Sequence, residues 1–314
     1  MKVESNYGHK EIPGNPSTAK SSLLKLNDRS NGEALRQLSE ADWNFWVHNG
    51  YVIVKNAVPT EQAKKLADYL WQYEDKNPDD MASWYKRPNA EMQMKELNNT
   101  GMVEIYNHQY MWDNRQVPKV HQAFADIWGT EKLWVTIDRA NLNFPLRPGF
   151  EYKGFIHWDY DPETKPQNVQ GVLALADQTD ETMGGFQCVP ELFRTYDIWK
   201  LTQPADRDHY KPDTTGFEIV KVKLEAGDLL IFNSLLPHGI RPNTSNKVRI
   251  AQYIAMMPAQ EDNEELRQWR INIWKSRYAM EGYAFPGDPL QREKKNPVAT
   301  LSPLGEKLLG LTKW

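Results

Sequence analysis

The chain has 314 residues, 25% of them charged and 40% hydrophobic. That is ordinary globular usage and excludes a disordered or fibrous architecture for the chain as a whole. A formal net charge of -4 supplies no basic field for a phosphate backbone, so nucleic acid is not an expected partner, and the single cysteine, Cys188, excludes an intramolecular disulfide or a four-thiolate metal site.

Residues 1–35 are polar and rich in Ser, Asn, Pro and Gly, and read as a loosely attached arm. The arm has no apolar run of signal-peptide type, and no stretch approaches the roughly 20 apolar residues of a membrane span. A cytoplasmic protein without membrane contact is therefore expected. Ser39 is placed as a helix N-cap, with Trp43, Trp46 and Val47 following at helical spacing. Asn49-Gly50 ends that helix, and the β-branched run from Tyr51 to Val54 reads as a strand. Residues 60–75 put Ala63, Leu66, Leu70 and Tyr73 on one helical face.

From about residue 132 the texture changes to short β-branched runs broken by Gly, Pro, Asn and Asp, the pattern of a sandwich or barrel. Strands are expected at 132–143, 152–158, 169–176, 185–189, 217–224, 228–233 and 248–256. In the first of these, Leu133, Val135 and Ile137 share a face with Arg139, Asn141 and Asn143. A barrel packed at one end and chemically active at the other would show that gradient. Helical texture returns after Pro258. The chain thus divides into the arm and a single domain over 36–314, with a helical part at 36–130, a β core at 131–257 and a helical extension at 258–314.

His157-Trp158-Asp159 closes one predicted strand with the imidazole and carboxylate on the same face. With seven His and 42 acidic residues one such triplet is expected by chance, and a second, His9-Lys10-Glu11, lies in the arm without an assigned role. An ordinary surface bond between His and carboxylate is the plainer reading of the motif alone. Its partner changes the balance: His238 follows directly on the strand from Leu229 to Phe232. Two imidazoles and one carboxylate make the facial triad that leaves open positions on Fe(II). Arg249, entering the last strand, is the candidate anchor for the far carboxylate of 2-oxoglutarate, because a guanidinium matches a carboxylate bidentately. Arg139 and Asn141, at the polar end of the first strand, are candidate co-substrate contacts. Asn243 reads as a turn former. His48, His108, His121 and His209 read as structural, and Tyr106, Trp134, Trp158 and Phe186 as core aromatics that border the pocket at most.

Three blocks, RPGFEYKGFIHWDYDPE, GVLALADQTDETMGGFQCVPELF and VKLEAGDLLIFNSLLPHGIRPNTSNKVRIAQYIAM, resemble the phytanoyl-CoA dioxygenase family of Fe(II)/2-oxoglutarate oxygenases over roughly residues 130–257. The resemblance implies a mainly β fold, a double-stranded β-helix of jelly-roll type with flanking helices at both ends. It implies His157, Asp159 and His238 as iron ligands, Arg249 as co-substrate anchor, and Fe(II), 2-oxoglutarate and O2 as cofactors. Where many relatives close the middle block with Pro-Gly-Ser-His, this chain has Pro190-Glu191-Leu192-Phe193, so substrate contacts do not transfer from that loop. The metal aspartate is present, which disfavours halogenation. The expected activity is hydroxylation of a C–H bond of a small-molecule metabolite with release of succinate and CO2. Desaturation, epimerisation and ring formation share the same ligand set, and a jelly-roll binding protein that keeps the metal without turnover is the alternative of another class.

Overall fold

Ser39 opens the first helix. In the computed structural model, which describes residues 25–86, 101–278 and 291–314, the Ser39 hydroxyl accepts the Asp42 amide while the Asp42 carboxylate accepts the Ser39 amide. This reciprocal capping satisfies two otherwise orphaned groups at the start of α1 (Glu40–Asn49). Gly50, at φ 74°, ends the helix in the left-handed conformation, and β1 (Tyr51–Val54) follows. Next come α2 (Thr60–Tyr73), which buries Ala63, Leu66 and Leu70 as the spacing predicts, α3 (Met81–Trp84) and β2 (Met102–Val103). Two further helices, α4 (Gln109–Arg115) and α5 (Pro118–Trp128), complete the N-terminal helical part. Most of the N-terminal arm, with His9-Lys10-Glu11, lies outside the described residues.

The expected strand at 132–143 is two strands, β3 (Leu133–Val135) and β4 (Ala140–Asn143). The expected strand at 248–256 splits in the same way, into β10 (Arg249–Tyr253) and β11 (Met256–Pro258). The two breaks share one cause. β4 pairs with β10 and β3 with β11, and between the pairs Thr136 and Ala255 bond to each other while the Ile254 amide turns to the Gly171 carbonyl. Between them in the chain lie β5 (Val169–Ala174), β6 (Met183–Cys188), β7 (Val220–Lys221), β8 (Leu229–Asn233) and β9 (His238–Asn243).

Two expectations shrink. Residues 152–158 form no strand; only His157 bridges to His238, because Gly154 takes φ 75° and breaks the extended run. Of 217–224, only β7 and a bridge from Leu224 to Gln178 remain. Beside the short β2, two longer elements lie outside the expected set: β9, in which Asn243 is a strand residue, and α6 (Pro190–Trp199), which begins at a Pro placed in a loop by the sequence. Proline is suited to a first helical position, since its missing N–H would be orphaned there in any case. Among the described residues helix outweighs strand, 33% to 19%. "Mainly β" therefore describes the sheets that carry the site and not the described residues as a whole.

The six-stranded sheet runs β1-β8-β5-β10-β4-β2 and the three-stranded sheet β7-β6-β9, all pairs antiparallel. The large sheet has two apolar faces. Val52, Leu173, Leu229 and Ile231 pack against the helices in the main core. Val172, Ala174, Leu230, Phe232 and Ala251 pack with Phe186 and Cys188 of the small sheet in a second core between the sheets. At the C-terminal end, α7 (Glu264–Ser276) and α8 (Pro303–Leu309) are tied to β3 by the buried Arg270, which donates to the carbonyls of Val135, Leu308 and Leu309. Among the described residues no helix is long and apolar enough to cross a membrane.

Candidate metal centre

His157 is positioned by backbone. Its amide donates to the His238 carbonyl at 2.8 Å and the His238 amide returns a bond to the His157 carbonyl at 3.0 Å. The approach is close enough that a Cβ on Gly239 would stand 1.8 Å from the Phe155 carbonyl oxygen, so only glycine lets the 155–157 segment lie along β9. Trp158 points away from its neighbours: it is buried, its amide donates to the Tyr210 carbonyl and its indole to that of Leu235. That leaves His157 and Asp159 projecting together, as the alternation in the sequence predicts.

His157 Nε2 lies 3.1 Å from Asp159 Oδ1, and His238 Nε2 lies 3.4 Å from Asp159 Oδ2. One ligand-type atom from each of the three residues lies within 4.8 Å of the others, and this is the one such cluster among the described residues. His238 is walled by Phe186, stacked on its ring, and by Phe232 at 4.5 Å. Gln170, on β5, donates to Asp159 Oδ2 and orients the carboxylate. Burial opposes ionisation of Asp159, but the facing His238 and His157 imidazoles outweigh it and hold the carboxyl well below the usual carboxylate range.

The tautomer of His238 tests the fit of a cation. Its Nδ1 is 2.9 Å from the Leu236 carbonyl, an acceptor only, so Nδ1 carries a proton and Nε2 is the ring atom turned to the Asp159 carboxylate. An imidazole nitrogen and a carboxylate oxygen so placed are bridged by a proton or by a cation bound between them. The donor set of two imidazole nitrogens and one carboxylate oxygen fits a divalent first-row metal. Gly239→Ala is expected to push the 155–157 segment off β9, at about 1–3 kcal/mol of stability, and to cost more in metal affinity than in thermal stability. Melting curves with and without metal check this, and unchanged metal affinity would show that the close backbone approach does not set the ligand geometry.

Register places the other candidates. On the face of the large sheet turned toward the small sheet, β10 presents Arg249, Ala251 and Tyr253. Across from Arg249 and Ala251, β4 presents Asn143 and Asn141, and across from Ala251 and Tyr253, β5 presents Ala174 and Val172. Gln170, the Asp159 partner, continues the same β5 row. The metal cluster and Arg249 therefore open onto one space. Arg249 is buried, with Nε donating to Gln178 Oε1 and Nη1 to Asn141 Oδ1, both at 3.1 Å, and among the described residues no carboxylate pairs with it. Arg139 is not beside it: its Nε meets Asp138 at 3.2 Å, and its carbonyl accepts the Tyr253 amide toward the other end of the row. The structure thus joins Asn141 to Arg249 and sets Arg139 apart.

Gln170 and Gln178 escaped the sequence reading, although Gln170 shares strand parity with Val172 and Ala174 and so had a readable direction. Of the four aromatics, Phe186 and Trp158 touch or back the cluster, whereas Tyr106 is buried in the main core and Trp134 packs with Met257 and Leu266. His108 caps α4, His121 bonds the Glu131 carbonyl and His209 pairs with Asp161.

The sequence model described as phytanoyl-CoA dioxygenase (PhyH) matches residues 46–251, from the middle of α1 to the middle of β10 and across all three cluster residues. The chain belongs to the phytanoyl-CoA dioxygenase family. Within reach of it by sequence is the Ava biosynthesis cluster protein O of Aspergillus versicolor, 24% identical over 69% of this chain and 77% of that protein. A Dictyostelium discoideum protein named for phytanoyl-CoA dioxygenase is 22% identical over 74% of this chain and 80% of its own length. The fold is shared with a hypothetical protein of Escherichia coli, at 17% identity and a TM-score of 0.63 over 90% of this chain and 87% of that one. The family assignment and the cluster of two histidines and one aspartate agree on an iron- and 2-oxoglutarate-dependent dioxygenase class.

Proposed function

We propose that the protein is a dioxygenase that hydroxylates a C–H bond of a small-molecule metabolite, with His157, Asp159 and His238 holding Fe(II) and Arg249 anchoring the distal carboxylate of 2-oxoglutarate. The observation that carries the reading is the cluster of His157, Asp159 and His238, on the same interior face as a buried guanidinium that has no carboxylate partner among the described residues. An uncompensated buried cation is costly, and an anionic ligand is the natural compensation. Fe(II) held there supplies the activation of dioxygen that accompanies oxidative decarboxylation of 2-oxoglutarate to succinate. The chain's own residues do the rest: Gln170 orients Asp159, Phe186 and Phe232 keep water from His238, and Asn141 with Gln178 aims Arg249.

The two facing sheets support a jelly-roll core, with the helices of both ends packed outside it. A small-molecule substrate, in natural-product metabolism, is supported by the biosynthesis cluster in the name of the Aspergillus relative. Anaerobic addition of Fe(II) and then 2-oxoglutarate to the metal-free protein is expected to give a weak visible charge-transfer band, and oxygen is then expected to yield succinate. No band under any condition would sink the oxygenase reading and leave a metal-binding protein without turnover.

A further inference from the structure

The Tyr253 hydroxyl is buried and, among the described residues, has no hydrogen-bond partner. The ring packs against the core between the sheets, not outward. Tyr253 stands opposite Val172, and Gln170, which holds Asp159, is two residues along that strand. Diagonal neighbours of this kind are about 7–8 Å apart, so Tyr253 stands in the row next to the residue that holds the metal aspartate. A buried hydroxyl without a partner costs stability wherever it stands, and at a binding site a ligand atom removes that cost.

The surface on the His157 side of the cluster carries aromatic rings. Phe155 lies 4.8 Å, ring to ring, from His157 and is 48% exposed, and Tyr152 packs edge-on against it. Phe150, in the same 147–156 segment, is 71% exposed. Large aromatics left open beside a candidate metal ligand form a surface on which an apolar ring can stack.

We propose that Tyr253 is the specificity-determining residue of this enzyme: its hydroxyl bonds a single oxygen of the substrate, while Phe155 receives an apolar, ring-bearing body. The proposal rests on the dioxygenase reading and adds the substrate class, a mostly apolar molecule with one hydrogen-bonding oxygen near the reacting carbon.

Naphthalene and 2-naphthol are paired probes that differ by one oxygen. Binding of each is to be followed by tryptophan fluorescence in protein loaded anaerobically with Fe(II) and 2-oxoglutarate, in the wild type, Tyr253→Phe and Phe155→Ala. The wild type is expected to prefer 2-naphthol by about tenfold, the worth of one well-made buried hydrogen bond. Tyr253→Phe is expected to abolish that preference while binding naphthalene as the wild type does, and Phe155→Ala to weaken both probes. A preference that survives Tyr253→Phe overturns the proposal, as does a wild type that binds neither probe. The charge-transfer band of the same samples separates the two levels: a band with an unchanged preference overturns only the role of Tyr253, whereas no band overturns the dioxygenase reading itself.

Discussion

Asp159→Ala is expected to lower iron affinity by more than about 100-fold, beyond the range typical for loss of a supporting residue, and to reduce succinate formation to background. The carboxylate is the one anionic member of the cluster and lies within 3.4 Å of both imidazoles, so its loss removes the charge and widens the cluster at once. In the metal-free protein the same substitution removes the carboxylate that both imidazoles and Gln170 hold in its ionised form, so the melting temperature without metal is expected to fall as well. Wild-type protein is expected to gain about 2.7 kcal/mol when iron reaches 100 times its dissociation constant, and the variant less than about 0.4 kcal/mol at the same concentration. Calorimetry of both proteins with and without Fe(II) reads the two effects together. An Asp159→Ala protein still stabilised by iron would place the metal elsewhere.

Arg249→Ala is expected to weaken 2-oxoglutarate binding by about 2–5 kcal/mol, the range for truncating one member of a buried charge pair, or roughly 30- to several-thousand-fold. Iron binding without co-substrate is expected to stay close to that of the wild type, since Arg249 touches Gln178 and Asn141 and none of the three cluster residues. Arg249→Lys is expected to fall between. It keeps the charge but gives up the fork that reaches both neighbours and a carboxylate. Titration of 2-oxoglutarate into iron-loaded protein measures this, and equal affinity in all three proteins would remove Arg249 from the co-substrate site.

Much of the candidate site was legible because its signals are local. Trp158 between two outward residues sets their common direction, and an arginine entering an otherwise apolar strand has few reasons to be there. The polar face of the strand expected at 132–143 reads as one row in the sequence, whereas the backbone break before β4 sets Arg139 beside Asp138 and Asn141 beside Arg249. β9 was hidden by its own composition: Gly239 and Pro242 carry turn signals, yet both sit in a strand, the glycine because Phe155 passes so close. α6 was hidden by Pro190, which looks like a stop and is a start. Gln170 and Gln178 carry no signal by residue type, since glutamine on a strand is unremarked until the partner across the space is known. What local pattern cannot supply is which strands meet, and both glutamines act only through that meeting.

The bridge between His157 and His238 joins two parts of the chain that are far apart in sequence, with α6 and four strands, β5 to β8, between them. Contacts of such separation close late when a chain folds, after local helices and hairpins have formed. Until they close, the chain offers His157 and Asp159 without His238, so the full ligand set exists only once the sheets have met, and metal affinity reads out the completion of the fold.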